Sequence, residues 1–172
     1  KAIIDSISQG QSLGEIEISA SPQQSDLCEF IQNAWQHLGF TVKINTMPIS
    51  TFRDYAANGK LSVFRKSWIA DYPDVENFLS LFVKANFAPN GPNYTQYYSE
   101  EFEQSFSQML ASTSPFQKDS LSVKMENVLA RDMPVVPLFY GEVTHLVKKE
   151  VSGLNINGMN ILSLKKVDLV HE

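Results

Sequence analysis

Residues 15–68 alternate between strand and helix patterns, and this alternation constrains the fold more than any other feature of the sequence. Apolar residues occupy every second position at 16–18 and at 40–44, which is the period of a half-buried strand. Between these segments, apolar residues recur at steps of three and four, as on one helix face: Leu27, Phe30, Ile31, Ala34, Trp35 and Leu38. A shorter helix from Ser50 and a third strand over 61–68 follow. The order strand, helix, strand, helix, strand predicts a mainly parallel sheet with right-handed crossovers.

Two more helices are predicted in the second half of the chain, where Ser99 and Ser114 each stand at a capping position. The core faces of these helices would carry Phe102, Phe106, Met109 and Leu110, and then Leu121, Met125, Val128 and Leu129. The pattern also predicts a helix end within 1–14, an irregular strand over 135–140 with 143–148 as its candidate partner, and an extended piece over 161–169.

Residues 85–98 are rich in Asn, Pro, Gly and Tyr and keep no apolar period, so they predict a loop. Loops of this kind often line binding sites. The three tyrosines of the loop could equally pack it down onto the protein, and the sequence favours neither reading.

The segment from Trp68 to Leu79 is the main candidate for a functional site. It follows the predicted third strand, and ligands of open α/β sheets bind at the carboxyl ends of strands. A carboxylate at Asp71 between the rings of Trp68 and Tyr72 could hold an amine and its apolar neighbour together. In the alternative reading both rings are core residues and Asp71 belongs to a turn. For Asp74 the preferred role is a helix cap.

The composition excludes several classes of function. The net charge is −5 and the 14 basic residues are scattered, so there is no basic stripe for nucleic acid. No apolar run approaches 18 residues, the length expected of a membrane span. The three histidines and Cys28 do not stand at metal-ligand spacing, and Cys28 is interpreted as a small buried apolar residue. No P-loop, dinucleotide or serine-hydrolase motif occurs, so neither a metal nor a cofactor is expected.

Several separated motifs occur in a fixed order along residues 16–155. The central one is Trp-Ile-Ala-Asp-Tyr-Pro-Asp-Val-Glu-Asn-Phe-Leu at 68–79, preceded by Leu-Gly-Phe-Thr-Val at 38–42. Asn93-Tyr94, Ser-Glu-Glu-Phe at 99–102 and Asp-Met-Pro-Val-Val-Pro-Leu at 132–138 follow. Together these segments resemble the second lobe of the family 5, peptide- and nickel-type solute-binding proteins. Those proteins are the extracytoplasmic receptors of ABC importers and include the oligopeptide- and dipeptide-binding proteins.

The resemblance implies an α/β fold, a periplasmic-binding-protein-like (type II) lobe whose mixed, mainly parallel sheet is flanked by helices. A chain of 172 residues is long enough for one lobe and too short for two. We therefore expect a single domain over 1–172 that is a fragment of a larger two-lobed receptor. Residues 1–150 would form the lobe core, and residues 151–172 a tail that crosses toward the missing N-terminal lobe. The full-length parent would be a periplasmic protein or a cell-surface lipoprotein.

The resemblance also implies roles for individual residues in a non-enzymatic peptide receptor. The carboxylate of Asp71 would pair with the α-amino group of the peptide, with Trp68 as a wall of the pocket and Tyr72 as a second ring beside it. Arg65 stands where some oligopeptide binders place an arginine near the ligand carboxylate. Arg65 could equally be a strand residue that faces solvent with Lys66. The partners implied are a peptide or other small solute and the membrane subunits of an ABC importer.

Three alternatives remain open from the sequence. The same fold could serve as a sensor domain of a regulator, or could bind a non-peptide solute such as a nickel chelate, heme or an oligosaccharide. A hydrolase that uses Asp71 and Asp74 is the most distant alternative, because no partner base or oxyanion donors stand near that pair in the sequence.

Overall fold

The computed structural model describes residues 13–158 and 161–170, and these divide into two compact units. The first unit falls within Lys1–Ser67 and Phe82–Tyr98, and the second within Trp68–Leu81 and Ser99–Glu172. The expected single domain over 1–172 stays a prediction. The helix end predicted within 1–14 lies outside the described residues, apart from positions 13 and 14.

The first unit is built on a three-stranded parallel sheet. Its strands are β1 (Glu15–Ala20), β2 (Thr41–Thr46) and β3 (Val63–Phe64), in the order β2-β1-β3. Along the whole of β1 the register pairs Glu15 with Thr41 and Ala20 with Thr46. The predicted mainly parallel sheet is therefore confirmed.

Helix α1 (Ser25–Gln36) covers this sheet, after a 3₁₀ turn over Pro22–Gln24. The core contains Ile18, Ala20, Cys28 and Val42, and Trp35 packs against it, as predicted for Cys28 and Trp35. The prediction that Phe30 belongs to the core face is wrong, since its side chain is 71% exposed. At 3.6 residues per turn, Trp35 lies on the same face as Cys28 and Phe30 lies on the opposite face.

Helix α2 (Ile49–Ala57) buries Phe52 and Ala56 in the first unit. It begins one residue before Ser50, so the prediction that Ser50 caps it is wrong. Pro48 stands at the cap position instead, and the Phe52 N–H donates to the Pro48 carbonyl at 2.9 Å.

The third strand is much shorter than predicted. Only Val63 and Phe64 pair with β1, opposite Ile18 and Ser19. Trp68 therefore lies four residues beyond the strand end, in unpaired chain. The prediction that a strand runs to Trp68 is wrong, because the apolar run over 61–64 carries no information on how far a partner strand runs beside the segment.

The second unit contains α3 (Glu76–Leu79), α4 (Glu100–Ala111) and α5 (Pro115–Asp132). Ser99 Oγ accepts a hydrogen bond from the Phe102 N–H, and Ser114 Oγ accepts one from the Gln117 N–H, which confirms both predicted caps. The apolar side chains buried on α4 and α5 are Phe102, Phe106, Met109, Met125 and Val128. Leu110 is 58% exposed, so its assignment to the core face is wrong.

The chain beyond α5 departs most from the predicted elements. Met133 ends the helix in the left-handed region, with φ of 47°. Neither 135–140 nor 143–148 forms a paired strand, and Tyr140 and Leu146 are more than nine-tenths exposed. Short strands β4 (Val151–Ser152) and β5 (Asp168–Leu169) pair antiparallel. Within the described ranges, no helix has the length and apolar character needed to cross a bilayer.

Candidate functional site

Residues 68–79 form a turn that is held against the helix that follows it, within the second unit. The chain is unpaired up to Ala70, bends over 71–75 and enters α3 at Glu76. Besides backbone hydrogen bonds of the turn, side-chain hydrogen bonds of Trp68, Tyr72 and Asp74 hold this segment.

The indole of Trp68 is anchored on a buried amide. Its Nε1–H donates to Asn77 Oδ1 at 2.7 Å, and Asn77 is only 3% exposed. Trp68 itself is 37% exposed. The ring is therefore neither sealed in the core nor free to rotate, and part of its surface faces solvent in a fixed orientation.

The Tyr72 side chain is held by Glu76, which lies four residues further along the chain. Its hydroxyl donates to Glu76 Oε2, and the hydrogen bond to this carboxylate raises the pKa of Tyr72 above its ordinary value. Removal of the phenolic proton would destroy the bond and place two negative charges side by side. Tyr72 therefore remains a neutral donor at physiological pH, with its ring exposed to solvent.

The two aspartates of the segment have different roles. Asp74 Oδ1 accepts the Glu76 N–H at 2.9 Å. Val75 stands at the cap position of α3, so the prediction that Asp74 is the N-cap is wrong by one residue. Asp71 is exposed, and it has no hydrogen-bond or ion-pair partner among the described residues. Asp71 is thus the carboxylate of this segment that a ligand cation can reach without breaking an existing contact.

Arg65 belongs to the first unit, whereas Trp68, Asp71 and Tyr72 belong to the second. Arg65 is partly buried, and its charge lowers the pKa of the Cys28 thiol, against the larger effect of burial, which raises it. Because Arg65 is partly buried and lies just beyond strand β3, it does not match the alternative of a strand residue that faces solvent.

The loop over 85–98 is organised by Asn93, which is fully buried in the first unit. Its Nδ2 donates to the carbonyls of Val83 and Tyr97, both at 3.1 Å, and its Oδ1 accepts from Thr95 Oγ1 at 2.9 Å. Lys66 Nζ lies 3.6 Å from the centre of the Tyr94 ring, and the Tyr97 ring packs edge-on against Phe82. These contacts are those of a tyrosine-rich loop packed down by its own side chains.

Sequence reasoning missed the amides and the carboxylate that support these side chains. The sequence motifs contain Glu76, Asn77 and Asn93 but predict no role for any of them. The available signal was spacing: Glu76 stands four residues after Tyr72, one helical turn away, and Asn77 lies in the first turn of a helix that follows an exposed Trp. Within the described ranges, no group of three His, Cys, Asp or Glu residues could hold a metal ion.

Comparison with known proteins finds one family model and several relatives that are similar to this chain. Residues 8–90 match the family model described as bacterial extracellular solute-binding proteins, family 5 middle. The chain is 24% identical over 155 residues to the oligopeptide-binding protein OppA of Bacillus subtilis, covering 88% of this chain and 28% of that protein. It is 30% identical over 118 residues to the periplasmic oligopeptide-binding protein OppA of Escherichia coli, covering 69% of this chain and 21% of that protein.

The fold agrees with a solved structure, the DppA periplasmic binding protein of Helicobacter pylori in complex with the peptide STSA. The TM-score is 0.79 at 23% identity, over 98% of this chain and 34% of that one. The curated relatives named above are binding proteins and not enzymes, in agreement with the expectation of a non-enzymatic chain. The chain spans about a quarter of the length of these relatives. In sequence and in fold, the chain is therefore similar to part of the bacterial extracellular solute-binding proteins of family 5.

Proposed function

We propose that this chain is the second lobe of an extracytoplasmic receptor that delivers peptides to an ABC importer. The observation that carries the proposal is the exposed, unpaired carboxylate of Asp71, which stands in the sequence between Trp68 and Tyr72, two residues whose side chains are each hydrogen-bonded to the following helix. The α-amino group of a peptide would pair with Asp71, and the first side chain of the peptide would lie against Trp68 and Tyr72.

The hydrogen bonds of Trp68 and Tyr72 support this proposal because they prepare the rings before a ligand arrives. A side chain that is already fixed loses less conformational freedom on binding than a mobile one. Asn77 and Glu76 are therefore positioning residues in the proposal, since each holds a ring that would touch the peptide.

The strength of the proposed amine contact depends on closure of the receptor. Asp71 is exposed in this chain, and an exposed ion pair contributes little to affinity. When a second lobe closes over the ligand and removes water, the same pair becomes stronger.

The relatives support peptides as the solute and a location outside the cytoplasm. Two of them are named as oligopeptide-binding proteins, one of these also as periplasmic, and the solved relative carries a bound peptide. We accordingly propose that the full-length parent works in the periplasm or at the cell surface, together with the membrane subunits of an importer.

The proposal is tested by mass spectrometry of the ligand that the full-length protein carries through purification. A set of short peptides with free amino termini is the expected result. A single non-peptide solute, such as a bile acid or a metal chelate, would contradict the proposal. Release of shortened products over time would instead revive the hydrolase alternative and equally contradict it.

A further inference from the structure

One buried side chain contacts both rings of the candidate site. The Asn77 carboxamide accepts the Trp68 indole N–H through Oδ1 at 2.7 Å. The Glu76 carboxylate raises the pKa of Tyr72 most, and a hydrogen bond between the Asn77 side chain and the Tyr72 hydroxyl opposes this by lowering it. All of these residues lie in the second unit. A single carboxamide therefore connects the two rings.

The hydrogen bonds of these side chains follow one another in a single direction. A hydrogen bond lowers the pKa of a phenol when the phenol oxygen accepts it, so the Asn77 nitrogen donates to Tyr72. Tyr72 in turn donates its own proton to Glu76. A carboxamide offers an acceptor and a donor on one short side chain, whereas a carboxylate offers acceptors alone. Asn77 can therefore hold the indole and the phenol at the same time.

The backbone of Asn77 is fixed at the start of α3. Its N–H donates to the Asp74 carbonyl at 3.2 Å, and its carbonyl accepts from the Ser80 hydroxyl at 3.0 Å. Asn77 is 3% exposed, so water competes little for the hydrogen bonds of its side chain. The carboxamide thus has a defined position, from which both rings take theirs.

The polar edges of the two rings converge on this carboxamide. A hydrogen bond is about 3 Å long and the nitrogen and oxygen of a carboxamide are about 2 Å apart, so the indole nitrogen and the phenol oxygen lie within about 8 Å of each other. Both rings keep solvent-exposed surface, 37% for Trp68 and 43% for Tyr72. An apolar side chain that covers this surface removes it from water, which a polar side chain of similar size does less favourably.

We propose that Asn77 positions Trp68 and Tyr72 as one wall of the peptide site, and that this wall makes the receptor select peptides whose first side chain is apolar. The inference rests on the proposed function, in which the α-amino group of the peptide pairs with Asp71. That pairing brings the first side chain of the peptide to the two rings, since all three residues lie within a five-residue stretch. A wall that is fixed before binding loses little conformational freedom when the peptide arrives.

The test measures the affinity of the full-length protein, freed of ligand, for three short peptides by calorimetry. Leu-Ala-Ala and Asn-Ala-Ala differ in the first side chain, which is apolar in one and polar in the other at similar size. Acetyl-Leu-Ala-Ala keeps the apolar side chain and lacks the α-amino group. The ratio of the first two affinities reports on the rings, and the effect of acetylation reports on Asp71.

Three variants change the connection between the rings. Asn77→Leu removes both hydrogen bonds of the carboxamide, and Asn77→Asp keeps an acceptor for the indole but no donor for Tyr72. Tyr72→Phe keeps the ring and removes its hydroxyl. Ser105→Ala is the control, because Ser105 is a buried residue of α4 in the same unit and its hydroxyl donates to the Glu101 carbonyl of its own helix.

We expect the natural protein to bind Leu-Ala-Ala about tenfold or more tighter than Asn-Ala-Ala. In Asn77→Leu this preference should fall below about threefold, while the loss caused by acetylation keeps its size, because Asp71 is unchanged. Asn77→Asp and Tyr72→Phe should both show an intermediate preference. Ser105→Ala should keep the whole preference, since a general loss of stability does not act on the rings.

The inference is overturned by the absence of a preference in the natural protein, by a full preference in Asn77→Leu, or by an equal decrease in Ser105→Ala. If Asn77→Leu does not fold, a full preference in both Asn77→Asp and Tyr72→Phe overturns it instead. Acetylation separates this inference from the function on which it rests. Equal binding of the free and the acetylated peptide would contradict both, whereas a loss on acetylation without a preference for leucine would contradict the role of Asn77 alone.

Discussion

At the scale of single residues, the hydrogen bond from Trp68 to Asn77 connects the stability of the chain with the shape of its candidate site. The bond joins a partly exposed ring to an amide that is almost fully buried. The buried acceptor determines where the exposed ring lies.

Substitution of Asn77 tests this connection. Asn77→Leu leaves the Trp68 N–H without its acceptor, and we expect the free energy of unfolding to fall by about 1–3 kcal/mol. Asn77→Asp keeps an oxygen acceptor and should retain an anchored indole. Fluorescence in a Trp35→Phe background reports on Trp68 alone, since the chain has two tryptophans. An unchanged emission spectrum in Asn77→Leu would contradict the anchoring role.

Cys28 gives a prediction about pH. Burial raises the pKa of its thiol above the ordinary value. An unfolded chain therefore loses the thiol proton at lower pH than the folded chain, so the contribution of Cys28 to stability is complete at neutral pH and falls as the pH rises through the ordinary thiol pKa. Urea unfolding between pH 7 and pH 10 should show a steeper loss of stability in the natural protein than in Cys28→Ala. If the stability of the two proteins fell in parallel between pH 7 and pH 10, the predicted contribution of Cys28 would be contradicted.

At the scale of elements, α5 depends on its amino-terminal cap, Ser114. Ser114→Ala removes the oxygen that accepts the Gln117 N–H, and we expect a loss of about 1 kcal/mol in the free energy of unfolding. Ser120→Ala in the exposed middle of the same helix is the matched control. It should be neutral or slightly stabilising, because Ala is the better helix former there. Equal losses in both variants would exclude a capping role.

The elements that the sequence predicted well are those with local causes. Both serine caps, and the alternation that builds β1 and β2, are confirmed because each depends on a few neighbouring residues. The predictions of a long third strand and of strands within 135–148 are wrong. A strand forms only where another strand pairs with it, and the sequence of a segment does not show whether such a partner is present.

In the candidate site, too, the sequence predicts local features better than contacts. Trp68, Asp71 and Tyr72 identify the segment from the sequence, whereas the supporting roles of Asn77 and Glu76 are visible only in the structure. A sequence gives the residue types that can contact a ligand. It does not give which amide or carboxylate lies within hydrogen-bond distance of them.

At the scale of the whole molecule, the chain spans about a quarter of the length of its curated relatives. The central proposal is that Asp71 recognises a peptide amine when a full receptor closes. The described residues supply the carboxylate and two anchored rings, and closure would supply the dry environment in which the ion pair becomes strong.

The most direct test compares four affinities in the full-length protein: the natural protein and Asp71→Asn, each with one short peptide carrying a free or an acetylated amino terminus. Either change alone should weaken binding by about 30-fold or more, about 2 kcal/mol, because each leaves one charge without its partner. The two changes together should cost little more than one, because both remove the same interaction. Losses that add in full, or unchanged affinity of Asp71→Asn for the free-amine peptide, would contradict the assignment of Asp71.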